Sequence, residues 1–207
     1  MRVERAARVH QLLMYEAPWR ARAVCAGIDE VGRGPLAGCV MAACVIMPME
    51  PLVIWVDDSK KLSEMRRERV YDEIINRALY VGIGRAEADE IDKVNILAAT
   101  RLAMKRAAEN APADIFLIDA VGDLSLAGQE VPIVHGDTLS YSIAAASIVA
   151  KVTRDRLMRD LDEHYPVYGF ARNKGYGTAE HIAAIREHGP CALHRRSFLV
   201  NIQGCQW

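Results

Sequence analysis

Short unbroken apolar runs at residues 24–28 and 39–47 have the length of buried strands. They flank the glycine-rich stretch 32–38, which predicts an antiparallel pair. Further runs at 80–84, 114–119 and 132–134 read as strands. Between them the spacing is helical. A segment beginning at Ser63 carries Val70, Ile74 and Ile75 at helical intervals, although Ser63-x-x-Arg66 lacks the acidic half of a capping box. Ile96, Leu97, Leu102 and Met104 place a helix over 95–110. An alanine-rich stretch predicts a long helix from Ser140 to about Glu163, stopped by Pro166, and 178–188 forms a last helix closed by Gly189-Pro190. A strand pair, then alternating helices and strands, then helices alone, implies an α/β fold with a mixed central β-sheet flanked by helices and a helical C-terminal part. The 207 residues fit a single catalytic-sized domain, with about 1–23 as an N-terminal helical extension and about 166–207 as a helical C-terminal segment. No period of roughly 20 to 50 residues is visible, which excludes solenoids and propellers.

Composition sharpens this by exclusion. Apolar residues make up 51% and charged residues 26%, a globular balance. The longest apolar run falls well short of the ~20 residues of a membrane span, and an arginine-studded start does not resemble a secretory signal. Five irregularly spaced cysteines without a Cys-x-x-Cys pair suit a reducing cytoplasm better than disulfides or zinc. The 26 basic and 27 acidic residues nearly cancel, yet Arg172, Lys174, Arg186, Arg195 and Arg196 gather near the C-terminus, and Arg2, Arg5, Arg8, Arg20 and Arg22 near the N-terminus. Such clusters are either solvated helix faces or a surface for a polyanion.

The chemistry begins with Asp29-Glu30 at the end of an apolar strand. Neighbours on a strand point to opposite faces, so both reach one site only where the pleat is interrupted, and Gly32-Arg33-Gly34-Pro35 is expected to interrupt it. Asp119 ends the apolar strand before it, at the carboxyl edge where open α/β sheets carry their sites. Asp137 follows His135-Gly136 ahead of the long helix; there it either caps the helix or stays ionised to bind a cation. Four carboxylates from three separated strand ends, with no Cys or His at ligand spacing, suit hard divalent cations, Mg2+ or Mn2+, rather than zinc. Such carboxylates repel one another without metal. Two cations ~3.5–4 Å apart would relieve this and clamp the attacking water and leaving oxygen of a phosphodiester.

The string Gly27-Ile28-Asp29-Glu30-Val31-Gly32-Arg33-Gly34-Pro35-Leu36-Ala37-Gly38 resembles the opening motif of bacterial ribonuclease HII. Asp58-Ser59-Lys60-Lys61-Leu62-Ser63 resembles a second motif of that family, and Leu117-Ile118-Asp119 a third. Gly136-Asp137 with the stretch Ile143 to Asp155 resembles a fourth. Tyr168-Gly169-Phe170, Lys174-Gly175-Tyr176-Gly177-Thr178 and His194-Arg195-Arg196-Ser197-Phe198 complete the set, which covers about 24–198. The resemblance implies a ribonuclease H-like fold and metal-dependent hydrolysis of RNA in RNA/DNA hybrids, or at single ribonucleotides embedded in duplex DNA. It implies Asp29, Glu30, Asp119 and Asp137 as catalytic metal ligands, with two ions in the substrate complex. It also implies that the backbone of Gly32, Arg33 and Gly34 contacts the ribose 2′-hydroxyl, which distinguishes RNA from DNA. By the same analogy Tyr176 stacks on the sugar of the following deoxynucleotide, so that cleavage falls 5′ of the ribonucleotide and leaves 3′-hydroxyl and 5′-phosphate ends.

Lys60, Lys61, Ser147, Lys151 and Arg154 are expected to contact phosphates, with close helix packing as the other reading of Ser147. Asp155 lies too far along a helix from Asp137 to share its ions, and is expected in a salt bridge or cap. His194, Arg195 and Arg196 are expected to pack or to hold backbone phosphate. Three positions depart from the family pattern. Ala120 stands where glycine is frequent, Leu139 where lysine is frequent, and Asp57 adds a carboxylate beside a loop expected to meet DNA. The expected state is a monomer, with a replication-clamp contact through the tail 201–207 as a further expectation.

Other classes fit less well. Gly32-x-Gly34-x-x-x-Gly38 superficially suggests a dinucleotide loop, but Pro35 and a strand-like run follow it instead of a helix. A noncatalytic nucleic-acid binder leaves four carboxylates at strand ends unexplained, since without metal they repel phosphate. The sister ribonuclease HIII carries an extra N-terminal domain, for which the residues before Val24 are too few.

Overall fold

Helix α1 (Arg2–Arg20) leads into strands β1 (Cys25–Val31) and β2 (Val40–Ile46), as seen in a computed structural model that describes residues 2–57 and 59–200. Asp58 and the tail 201–207, with the clamp contact expected there, lie outside the described residues. A short 3-10 turn (Ser59–Lys61), α2 (Glu64–Arg77), β3 (Tyr80–Ala86), α3 (Ala88–Val94) and α4 (Ile96–Ala108) follow. Next come β4 (Ile115–Asp119), β5 (Gln129–Ile133), α5 (Gly136–Leu139) and α6 (Tyr141–His164). The C-terminal part holds a 3-10 turn (Pro166–Tyr168), α7 (Phe170–Asn173), α8 (Ala179–His188) and α9 (Arg196–Leu199). No helix among the described residues is long and apolar enough to cross a membrane.

The five strands form one mixed sheet in the order β3-β2-β1-β4-β5. β1, β2 and β3 are joined antiparallel, as the glycine-rich connection requires, while β4 and β5 add in parallel beside β1. Two helices cover the faces. On one, the alanines of α6 pack with Ala43 and Val45; on the other, Ala99, Ala103, Met104 and Ala107 of α4 pack against Ala26, Ile28, Ala42 and Cys44. The contact of α6 with β1 is close enough to require glycine: a β-carbon on Gly27 would lie 2.1 Å from the backbone of Ser142.

Helix α3 and strand β5 differ from the sequence expectation. Helix α3 was not predicted, because its seven residues bury only Ala88 and Ile91 and so show no period. Its start is instead written in polar residues: the Glu90 side chain accepts from the Glu87 amide at 2.9 Å, completing a reciprocal capping box. Asn95, at φ 72°, then breaks the chain and caps α4 by accepting from Leu97 and Ala98. Strand β5 begins at Gln129, earlier than expected, because an edge strand tolerates the polar pair Gln129-Glu130.

The N-terminus of α6 depends on a residue far away in sequence. Glu16, fully buried on α1, accepts from the Ser140 hydroxyl at 2.6 Å, the Ser142 amide at 3.0 Å and the Ser142 hydroxyl at 3.1 Å, while Arg20 pairs with it at 2.7 Å. The carboxylate satisfies the orphan Ser142 amide and opposes the positive end of the helix dipole. Glu16→Ala strands these donors and removes the carboxylate partner of Arg20, which keeps its bonds to the carbonyls of Met47 and Pro48. A loss of about 3 kcal/mol is expected, read as a fall in melting temperature of roughly 6–12 °C by circular dichroism.

Candidate active site

The sheet itself brings the carboxylates together. The last parallel pair between β1 and β4 joins Ile28 to Ile118, and one residue further each strand carries an aspartate, Asp29 and Asp119. Alternation fixes their direction. Ile28 and Ile118 belong to the core under α4, whereas Leu117 packs with Ile143 of α6, so Asp29 and Asp119 fall on the α6 face. Glu30 faces the other way. The expected interruption of the pleat is absent: β1 stays paired with β2 through Val31. Glu30 reaches the same cleft because β4 ends at Asp119 while β1 runs on, leaving an open edge that side chains from both faces can flank. Asp137 arrives from α5, whose first amide, Gly136 N–H, donates to Asp119 Oδ1 at 2.7 Å. It lies in a short helix of its own; the N-cap of α6 is Ser140.

Asp29, Glu30 and Asp119 line a cleft of about 320 Å³ together with Ser59, Lys60, Ser147, Lys151 and Tyr176. Burial raises the Asp29 carboxyl well above the ordinary aspartate range, and the charges of Glu30 and Asp119 add to it; the Ser147 hydroxyl and the Glu30 amide oppose the shift. Glu30 is raised by burial, against the pull of Arg33 at 3.5 Å. Asp119 is raised by burial and by Asp137, against the Gly136 amide and Lys60. One oxygen, Glu30 Oε2, is buried with no hydrogen-bond partner. An all-oxygen set that repels itself and leaves a buried acceptor unmatched fits a hard divalent cation. Among the described residues no three acidic, histidine or cysteine side chains are already gathered in metal-holding geometry. Drawing these carboxylates onto common ions therefore requires side-chain rotation.

Beside the carboxylates the Gly32-Arg33-Gly34 segment is shaped from beneath. Gly32 has φ +87°, and a β-carbon there would meet the Arg154 guanidinium at 2.3 Å. Arg195, fully buried, donates to the carbonyls of Gly32 at 2.6 Å, Arg33 at 2.9 Å and Gly38 at 2.9 Å. In a trans peptide N–H and C=O point in opposite directions, so the amides of Arg33 and Gly34 turn away from Arg195. Tyr176, 43% exposed, has its ring beside Gly34. Leu36 and Ala37 amides donate to Gly175 O, joining its loop to this one.

Arg154 corrects an expectation. It is fully buried and spends its guanidinium on the carbonyls of Cys39 at 3.0 Å, Lys174 at 3.0 Å and Ala37 at 3.2 Å, so it cannot contact a phosphate. Its helix face turns inward under the two loops. Lys60 lies 3.4 Å from Asp137, and Lys61 is exposed but does not line the cleft. Lys151 lines the cleft while pairing at 2.8 Å with Asp155, whose expected salt bridge is thus present. Ser147 both supports Asp29 and meets the Ser59 hydroxyl at 3.0 Å. His194 packs in the interior, and Arg195 holds backbone carbonyls rather than phosphate. No sequence signal singles out Ser59, although it stands inside a stretch that resembles a family motif. Ala120 adopts φ 52°, a left-handed conformation that costs an L-residue about 1–2 kcal/mol and that glycine adopts freely.

Residues 26–201 match the family model described as Ribonuclease HII. A Ribonuclease HII from Lachnoclostridium phytofermentans is 50% identical over 96% of this chain and 79% of its own length. Among solved structures, RNase HII from Archaeoglobus fulgidus in a complex with PCNA is 24% identical, with a TM-score of 0.75 over 88% of this chain and 98% of that one. Bst-RNase HIII in complex with Mn2+ is 18% identical, with a TM-score of 0.61 over 88% of this chain and 65% of that one. These structures share the mixed sheet and flanking helices of the ribonuclease H-like fold. The paired aspartates of β1 and β4 and the length of the family match lead to one conclusion: the chain belongs to the ribonuclease HII family and is an endoribonuclease.

Proposed function

We propose that this protein hydrolyses the RNA strand of RNA/DNA hybrids and incises duplex DNA 5′ of single embedded ribonucleotides, leaving 3′-hydroxyl and 5′-phosphate ends. The observation that carries the reading is the meeting of Asp29 and Asp119 at adjacent strand ends, flanked by Glu30 and Asp137, beside a glycine loop whose amides face outward.

Asp29, Glu30, Asp119 and Asp137 hold Mg2+ or Mn2+, two ions in the substrate complex. The Mn2+ complex of Bst-RNase HIII supports the choice of metal. What the bound ions supply is a water activated near neutral pH and a counter-charge for the leaving oxygen. The remaining work is the protein's own. The amides of Arg33 and Gly34 are free to turn onto a ribose 2′-hydroxyl, which glycine allows to approach closely. Tyr176 stacks on the next deoxyribose, where a 2′-hydroxyl would crowd the ring. Lys60 and Lys151 at the cleft, with Lys61 outside it, steer the phosphate backbone. Ser147 orients Asp29 by its hydrogen bond.

The primary test uses an end-labelled DNA duplex with one ribonucleotide. Cutting 5′ of that residue with Mg2+ or Mn2+, and none with chelator or on all-DNA duplex, is expected; cutting 3′ of it overturns the assignment. Folding raises the pKa of Asp29, so its ionised form at pH 7 opposes folding. Asp29→Asn is therefore expected to abolish cleavage while holding the metal-free melting temperature level or raising it by about 2–4 °C, equivalent to ~1 kcal/mol. A clear fall would count against a crowded carboxylate site. Tyr176→Ala is expected to stay folded and cut single-ribonucleotide duplexes roughly tenfold less efficiently, the loss of a stacked sugar being worth about 1–1.5 kcal/mol.

A further inference from the structure

Behind the Tyr176 loop lie two buried histidines that the reaction does not use. His181 and His194 are 0% and 2% exposed, and their Nε2 atoms meet at 3.1 Å. At one end, His181 Nδ1 lies 2.8 Å from the carbonyl of Tyr176. At the other, the Cys191 amide donates to His194 Nδ1 at 3.0 Å. The rings are held by aromatic neighbours: Tyr168 stands edge-on to His194 at 4.8 Å, and Phe170 edge-on to His181 at 5.5 Å.

The end partners decide where the protons sit. A carbonyl only accepts, so His181 Nδ1 carries hydrogen; a backbone amide only donates, so His194 Nδ1 is bare. In neutral rings His194 Nε2 then carries the single hydrogen between the pair and donates it to His181 Nε2. Burial lowers both histidines, His194 to about 4, and thereby keeps both rings neutral at pH 7. The result is a one-way chain, Cys191 N–H to His194 to His181 to Tyr176 O, in which every ring nitrogen is used. Its far end is the main-chain carbonyl of the residue that faces the cleft, which also accepts from the Thr178 amide at 2.8 Å.

We infer that His181 is a positioning residue for Tyr176, and that His194 locks it in the Nδ1–H tautomer that can hold the Tyr176 carbonyl. The inference rests on Tyr176 stacking against the deoxyribose after the ribonucleotide. The pair then governs the preference for junctions over long hybrids, because only a junction presents a sugar without the 2′-hydroxyl there. A histidine serving general packing would lower both activities alike.

The test measures kcat/KM on a single-ribonucleotide duplex and on a long RNA/DNA hybrid, for wild type, Tyr176→Ala, His181→Ala and His181→Gln, together with the imidazole 15N–1H pattern of the wild-type protein. The expected result is a fall of the junction-to-hybrid ratio of about tenfold in His181→Ala, carried mainly by KM and matching Tyr176→Ala. His181→Gln, whose amide can donate to Tyr176 and accept from His194, should recover most of the ratio. The spectrum should show hydrogen on Nδ1 of His181 and on Nε2 of His194. A shifted ratio in Tyr176→Ala with an unchanged one in His181→Ala overturns the inference and leaves the Tyr176 reading standing. An unchanged ratio in Tyr176→Ala removes that reading and the inference with it. If His181→Ala does not fold, His181→Gln and the tautomer decide, and an Nε2–H His181 in the wild type overturns the inference.

Discussion

The parallel register between β1 and β4 is the constraint on which the site depends. A slip of one residue would reverse the facing of β1 against its neighbour, sending Asp29 beneath α4 and away from Asp119. The register is fixed because both faces of these strands are buried: Ala26, Ile28, Phe116 and Ile118 enter one core, and Cys25, Ile115 and Leu117 the other. The slipped pairing would force both sets into the wrong layer at once. Hydrophobic burial thus sets the separation of two like charges that would otherwise move apart. Burial of these carboxylates, with their mutual repulsion added to it, surfaces as the raised pKa values of Asp29, Glu30 and Asp119.

The glycine loop is held by a different interaction. Arg154 and Arg195 are both fully buried, and their described hydrogen bonds run to six main-chain carbonyls, three each, rather than to carboxylates. Burying two guanidinium groups this way is expensive unless each donor is met, and it is met by a backbone that has few other uses for those carbonyls. Arg154 also reaches Lys174 O, so one side chain fixes the loop before β2 and the loop carrying Tyr176 against each other. Preorganisation of this kind removes the ordering cost that a flexible glycine loop would pose to ligand binding.

Much of this was legible in the sequence, and what was not has a physical reason. The strand pair, α4, α6 and α8 are visible because each buries a regular apolar face. The four carboxylates stand out as charges at the ends of apolar runs, and the structure gathers three of them on one cleft wall, with Asp137 beside Lys60. Arg154 misled because a basic residue one turn from Lys151 looks like a phosphate contact until the packing of α6 shows which side faces inward. Arg195 and Glu16 were hidden for the same reason. Their partners lie 163 and 124 residues away, and no local pattern encodes a long-range hydrogen bond. Helix α3 escaped because capping, rather than periodicity, defines it.

Asp57 shows how such distant contacts change a functional reading. As an added carboxylate near a loop expected to meet DNA, it suggests weakened affinity. In the fold it is buried and held by Arg5 at 3.1 Å and Arg8 at 3.1 Å, so α1 neutralises its charge before any phosphate approaches. Arg8 also donates to Thr138 O at 2.8 Å, one residue past Asp137. Three arginines of the N-terminal stretch, Arg5, Arg8 and Arg20, are therefore neither idle solvated charge nor a free polyanion surface. Two of them tie α1 to the loop bearing Lys60 and to the short helix bearing Asp137, and a third, Arg20, completes the Glu16 anchor under α6. The departure at Asp57 is matched within the chain, and the helix that matches it braces one wall of the carboxylate site.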